Sequence, residues 1–136
     1  MGDPEAQVVL PMVEDPIAPL LEAAAAGSLA ATTCRHTTNP HVGVVLASGG
    51  YPGSYAKGVP IAGLAEAAEQ DDVLVFHAGT GLDGDRVVTT GGRVLTVVGR
   101  GADYGAAIER AYAAERCVTF SDKQVRTDIG RKALQS

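Results

Sequence analysis

A chain of 136 residues suits one domain of ordinary size and is long enough to bury a core. Hydrophobic residues make up 46% of it and aromatics only 4%, so that core must be built from small and β-branched aliphatic side chains. A formal charge of −5 argues against the basic face of a nucleic-acid binder, and no apolar run approaches the roughly 18 residues of a membrane span.

The N-terminus lacks a basic stretch followed by a hydrophobic one, so the expected compartment is the cytoplasm, with no nucleic-acid or membrane partner. Residues 15–27 read as a helix: Asp15 suits the N-cap, Pro16 the first helical position and Gly27 the stop. Ile17, Leu20, Leu21, Ala24 and Ala25 fall on one apolar stripe. Residues 28–40 are polar, with two Thr-Thr pairs and Asn39-Pro40, and read as a connector between a leading segment and the body of the domain.

Strand patterns follow at His41–Ala47, Val73–His77, Arg86–Thr90 and Arg93–Val98, with a short helical piece between Ile61 and Glu69. Asp103 caps a second clear helix over residues 103–115, in which Tyr104, Ala107, Ile108, Ala111 and Tyr112 share a face. A last strand is expected at Cys117–Phe120, ahead of a basic tail with Arg126, Arg131 and Lys132. This order predicts an α+β domain with a largely antiparallel sheet or partial barrel.

The stretch from Ala47 to Gly58 carries the strongest functional signal. It holds four glycines, Pro52, Tyr51, Tyr55 and Lys57, directly after an apolar strand. Glycine is used where backbone must reach positive φ or approach a partner closely, and loops on rigid strands are where binding residues concentrate. Gly79-Thr80-Gly81-Leu82-Asp83-Gly84 matches G-x-G-x-x-G, but the β pattern that follows, and the Asp-Gly pair itself, mark a hairpin turn rather than a dinucleotide site.

Cys34, Cys117 and the three histidines lack metal-site spacing, and two cysteines are too few for a disulfide framework. His77 ends an apolar strand, a place that suits a hydrogen-bonded structural histidine and a substrate-facing one equally. Lys57, Arg126 and Arg131 are the candidate anion-binding side chains, with Arg131 better explained as a solvated surface group. Asp128 stands near enough to Arg126 either to pair with it or to cap a terminal helix.

Several segments together resemble phosphoribosylamine–glycine ligase (glycinamide ribonucleotide synthetase). They are Gly2-Asp3-Pro4-Glu5-Ala6-Gln7, the run from Val44 to Tyr55 with Lys57-Gly58 and Pro60-Ile61, Phe76-His77-Ala78-Gly79-Thr80, the run from Thr89 to Leu95, and the run from Arg126 to Leu134. The resemblance implies the C-terminal part of an ATP-grasp enzyme of purine biosynthesis, which joins glycine to 5-phosphoribosylamine using ATP and magnesium. It implies a small β barrel-sandwich (single-hybrid, biotin carboxylase C-terminal-like) with flanking helices over residues 31–136, preceded at 1–30 by the tail of the ATP-grasp domain. Gly50, Gly53 and His77 would line the amine-substrate side, Arg126, with Lys57 second, would hold the ribose phosphate, and Asp3 and Glu5 would border the metal and phosphate region.

The family's metal-binding Glu and Asn precede the segment that begins at Gly2, so the 136 residues are expected to hold no metal and to be inactive alone. The ATP-grasp lobes would then be a missing or separate partner chain. The alternative is a free-standing, non-catalytic phosphoribosyl-binding or assembly module, whose partner would dock on the apolar face of the leading helix.

Overall fold

The computed structural model describes residue 2 and residues 4–135. Its centre is a four-stranded antiparallel sheet in the order β2-β5-β1-β6, with β1 His41–Ala47, β2 Val73–His77, β5 Arg93–Arg100 and β6 Gln124–Val125. β3 (Thr80–Asp83) and β4 (Arg86–Thr89) form a separate two-stranded ribbon. The α+β expectation with antiparallel sheets holds. The sheets do not join into a closed barrel among the described residues.

The core follows the alternation of β1 and β5. Val42, Val44 and Leu46 are buried on one side of β1. There Val42 and Val44 meet Ala107 and Ala111 of helix α4 (Tyr104–Cys117). Leu46, Leu95, Val97, Ala114 and Val118 complete the interior with Ala67 of the short helix α3 (Leu64–Ala68). Small residues let helix and sheet approach: a Cβ on Gly99 would strike the Ala107 carbonyl oxygen and the Ala111 amide. Asp103 caps α4 as expected, accepting from the Ala106 N–H at 2.8 Å.

The opposite side of the sheet is partly covered by helix α1 (Glu5–Val9), whose Val8 would lie 2.6 Å from a Cβ on Gly43 and whose Gln7 accepts from Thr96 Oγ1 at 3.0 Å. Helix α2 (Ile17–Ala25) sits on an excursion closed at its neck by the Val13–His36 bridge and the Thr37 N–H to Met12 carbonyl bond. Leu20 is buried, while Leu21 is 61% and Leu29 48% exposed. No described helix is long and apolar enough to cross a membrane.

Four sequence expectations need correction. Asp15 does not cap α2, because its carboxylate is taken by the Arg35 N–H at 2.6 Å and guanidinium at 2.8 Å, which lock the neck. The helix expected from Ile61 begins only at Leu64, since Ile61 and Ala62 are held extended by the Val87 carbonyl and Thr119. The strand expected at Cys117–Phe120 does not form. Helix α4 runs through Cys117, Thr119 makes a lone bridge with Ala62, and the sheet instead takes up Gln124–Val125. Four of the six residues of the glycine motif at 79–84 are strand β3, and its hairpin turns on Gly84, at φ 60°, and Asp85.

The α4–β6 connection is set by Lys123. Its ammonium donates to Glu115 Oε1 at 2.6 Å, the Val118 carbonyl at 2.7 Å and the Glu115 carbonyl at 3.1 Å, using all three of its donors. Glu115 is buried, so removing the cation strands a carboxylate. Lys123→Met should cost about 3 kcal/mol in urea unfolding, and the Lys123→Met/Glu115→Gln double variant distinctly less.

Candidate functional site

The glycine loop leaves the sheet at an irregularity. Register between β1 and β5 shifts after Leu46–Leu95, so that Ala47 pairs with Arg93 and the extra residue, Val94, turns inward and is fully buried. Ser48, buried, then clamps the loop to the Gly91–Gly92 turn, its N–H donating to Gly92 O at 2.8 Å and its hydroxyl to Gly91 O at 2.9 Å. Two tight turns follow, from Tyr51 N–H to Ser48 O (3.1 Å) and from Gly53 N–H to Gly50 O (2.7 Å), with Gly50 at φ 93° and a cis Tyr51–Pro52 peptide. The Gly58 N–H closes the loop on Thr89 O at 2.6 Å.

This path lays the rings of Tyr51 and Tyr55, 6.4 Å apart and tilted by 57°, over Gly92. A Cβ there would run into the Tyr51 ring and stand 3.0 Å from Tyr55 Cε1, so glycine is what allows the aromatic lid to seat.

On one side of the loop lies a groove of about 680 Å³. Its floor is apolar, from Val45, Ala47 and Val125, with Pro4 and Tyr51 as walls, and its rim carries Arg93, Gln124 and Arg126. On the other side a cavity of about 470 Å³ is lined by Ser48, Gly50, Thr89, Asp122, Lys123 and Gln124. Residues 123 and 124 line both, so the glycine loop and the start of β6 form the partition. An apolar floor with guanidinium groups on the rim suits an organic ligand with an anionic end.

The residues singled out in the sequence are only partly gathered here. Arg126 stands on the groove rim, forked onto Asp128 through Nε at 3.0 Å and Nη2 at 2.7 Å, which selects pairing over capping for that aspartate. Gly50 lines the smaller cavity, and Gly53 is exposed at the tip of the loop. Lys57 is exposed on the loop's outgoing limb and His77 at the end of β2, with Nδ1 2.9 Å from Thr80 Oγ1; neither lines either space. Glu5 is exposed beside Pro4, which does line the groove, and Asp3 lies outside the described residues.

Sequence reasoning placed Tyr51 in the glycine loop but missed Arg93, Lys123 and Gln124 as individual contributors. Arg93 was signalled only by following Gly91-Gly92, and the other two by nothing local. Among the described residues no group of three His, Cys, Asp or Glu could hold a metal ion.

The fold is that of a mixed α/β module with antiparallel sheets, and its groove lies between the sheet and the glycine loop. Residues 41–132 match the family model described as phosphoribosylglycinamide synthetase, C domain, and the chain belongs to that family. It is 49% identical over 135 residues to the phosphoribosylamine–glycine ligase of Streptomyces coelicolor, covering 97% of this chain and 32% of the relative. It is 48% identical to that of Synechocystis, covering 98% and 32%. The crystal structure of the Thermotoga maritima phosphoribosylamine–glycine ligase superposes with a TM-score of 0.68 at 30% identity, over 94% of this chain and 31% of that one. The chain thus spans about a third of the length of the relatives it matches.

Two outcomes follow from this geometry. Gly92→Ala should displace the tyrosine lid, at a stability loss of about 1–3 kcal/mol, and move the ring resonances of Tyr51 and Tyr55 in NMR spectra. The Arg126 guanidinium, through its hydrogen bonds, holds the Asp128 carboxyl below its ordinary value. A lowered folded-state pKa stabilises above the ordinary Asp range, about 3.9, and that contribution disappears as pH falls through the lowered value. In Arg126→Gln the Asp128 carboxyl carbon should therefore titrate at higher pH than in the parent chain.

Proposed function

We propose that these residues form the C-domain wall of a phosphoribosylamine–glycine ligase active site, contributing substrate contacts and domain packing rather than the phosphoryl-transfer machinery. In this reading the complete enzyme activates the glycine carboxylate with ATP as an acyl phosphate. The amine of 5-phosphoribosylamine then attacks it and expels phosphate, a step of cytoplasmic purine biosynthesis. Magnesium would neutralise the ATP phosphates. In this reading ATP and metal are held by the rest of the enzyme, with Asp3 and Glu5 bordering that region.

The observation that carries the reading is the groove, in which Arg126 and the Tyr51 lid flank an apolar floor inside the segment matched by the family model. Arg126 is the proposed phosphate ligand. Asp128 occupies Nε and Nη2 and leaves Nη1 to a ligand. Lys57 is placed second, and His77, Gly50 and Gly53 are taken as the amine-side border.

The finer fold assignment, a barrel-sandwich of single-hybrid type, is supported by the bridges Pro60–Val88 and Ala62–Thr119, which tie the two-stranded ribbon and the α4 exit to one extended segment. Residues 1–30 are proposed to belong with the ATP-grasp lobes and 31–136 with the C domain. The exposed Ile17, Leu21 and Leu29 on the α2 excursion favour a docking role for that leading part, against lobes in the same enzyme or on a separate chain.

The test is reconstitution. The 136-residue chain with Mg-ATP, glycine and phosphoribosylamine should form no glycinamide ribonucleotide, and adding the ATP-grasp lobes of a relative as a second chain should restore product. In that complex Arg126→Gln should raise KM for phosphoribosylamine about tenfold or more with a smaller change in kcat. Product from the chain alone would overturn the reading, and an unchanged KM would remove Arg126 from the site.

A further inference from the structure

A third cavity, of about 330 Å³, lies at the opposite end of the sheet from the glycine loop. Strand β1 separates the two ends by about 20 Å at 3.3 Å per residue. The cavity is lined by Thr37, Asn39, His41, Asp72, Arg100 and Arg110, with the backbone of Gly101 and Ala102. Backbone contacts fix its walls: the Gly101 N–H donates to Pro40 O at 3.1 Å, the Arg100 N–H to Asp72 O at 2.9 Å, and Arg110 Nη1 to Arg100 O at 2.7 Å. Three elements that meet only in the folded chain therefore converge on one polar hollow.

Its charge is unbalanced. Two guanidiniums share one carboxylate, with Asp72 3.0 Å from Arg110 Nη1 and 3.4 Å from Arg100 Nη2, in a chain whose formal charge is −5. The Asp72–Arg100 contact is beyond ordinary charge-assisted length, and Arg100 Nε is buried with no partner. Directly across the β1–β5 register from Arg100 stands His41, only 8% exposed. Its Nδ1 is 2.9 Å from the Asn39 carbonyl, which can only accept, so Nδ1 carries the proton and Nε2 is left buried and unpartnered. Buried polar atoms without partners are uncommon and costly, and two belong to neighbouring residues on this wall.

We propose that this corner is a second anion site, for a tetrahedral phosphoryl group, either free phosphate or a phosphate monoester. The Nη groups of Arg100 and Arg110 not used by Asp72 would take its oxygens, and Asn39 and Thr37 would border it. The unpartnered Arg100 Nε adds a donor once the guanidinium turns toward the ligand, and His41 Nε2, a lone-pair acceptor in this tautomer, can take a guanidinium N–H. The site is independent of the groove at the glycine loop, and of the function proposed for it.

The experiment is an NMR titration of the ¹⁵N-labelled 136-residue chain with inorganic phosphate and, separately, methyl phosphate, at constant ionic strength set with chloride. Saturable shifts of the Arg100 and Gly101 amides and the His41 ring are expected with phosphate and not with chloride. Tighter binding of methyl phosphate would assign the site to monoesters, and equal or weaker binding to the free anion.

Arg100→Gln and Arg110→Gln should each weaken the titration about tenfold or more, and the charge-conserving Arg110→Lys less. Thermal unfolding of each variant separates lost binding from lost fold. Arg126→Gln should leave these shifts in place. Absence of saturable shifts at this corner with both anions, or shifts that persist undiminished in folded Arg100→Gln and Arg110→Gln, would overturn the proposal.

Discussion

One ammonium group holds the C-terminal part of the molecule in position. Lys123 neutralises the buried Glu115 and satisfies two carbonyls at the end of α4. Helix ends leave their last carbonyls unpaired, and inside a fold something must meet them. Here that something is the residue directly after the turn at Ser121–Asp122, so capping the helix also fixes where the chain re-enters the sheet. Strand β6 is only two residues long, pairing Leu46 with Val125 and Ala47 with Gln124, too little to hold itself in place. The ion pair supplies the anchorage, and Arg126 follows β6 directly, so its place on the groove rim depends on the contact between Lys123 and Glu115.

The same turn sets the height of the glycine loop. Gly49 packs against Asp122 so closely that a Cβ would meet the Asp122 carbonyl oxygen at 2.6 Å, and the loop's other support is Ser48 on the Gly91–Gly92 turn. Backbone held to backbone on both flanks gives the tyrosine lid little room to shift. A wall fixed before the ligand arrives spends less binding energy on ordering itself, which is the physical use of such a scaffold.

Much of this was legible in the residues, and the exceptions share a cause. Strands β1 and β2 match the expected bounds because Val-rich alternation between polar ends is a local signal. Asp15 failed as a cap because Arg35, 20 residues away, competes for its carboxylate, and a propensity cannot see a distant guanidinium. Cys117–Phe120 reads as a strand by composition, yet Lys123 rewards continuing the helix, and Thr119 finds its partner in Ala62, far back in the chain. At the site the glycine loop announced itself, because only a special backbone needs such residues. Arg93, Lys123 and Gln124 are ordinary residue types made significant by register, and register is decided between strands.

The shape of the groove bears on how such a module works. Its apolar floor is the exposed continuation of the sheet surface that α1 covers further along, so α1 and any ligand or neighbouring lobe compete for one face. Pro4, at the start of α1, already forms one wall. A lobe preceding α1 in sequence would therefore reach the groove along the chain itself, next to the Tyr51 lid and Arg126. Behind that floor Val44, Leu46, Val94, Leu95, Val97 and Val98 are fully buried, so the groove has a close-packed and unyielding backing.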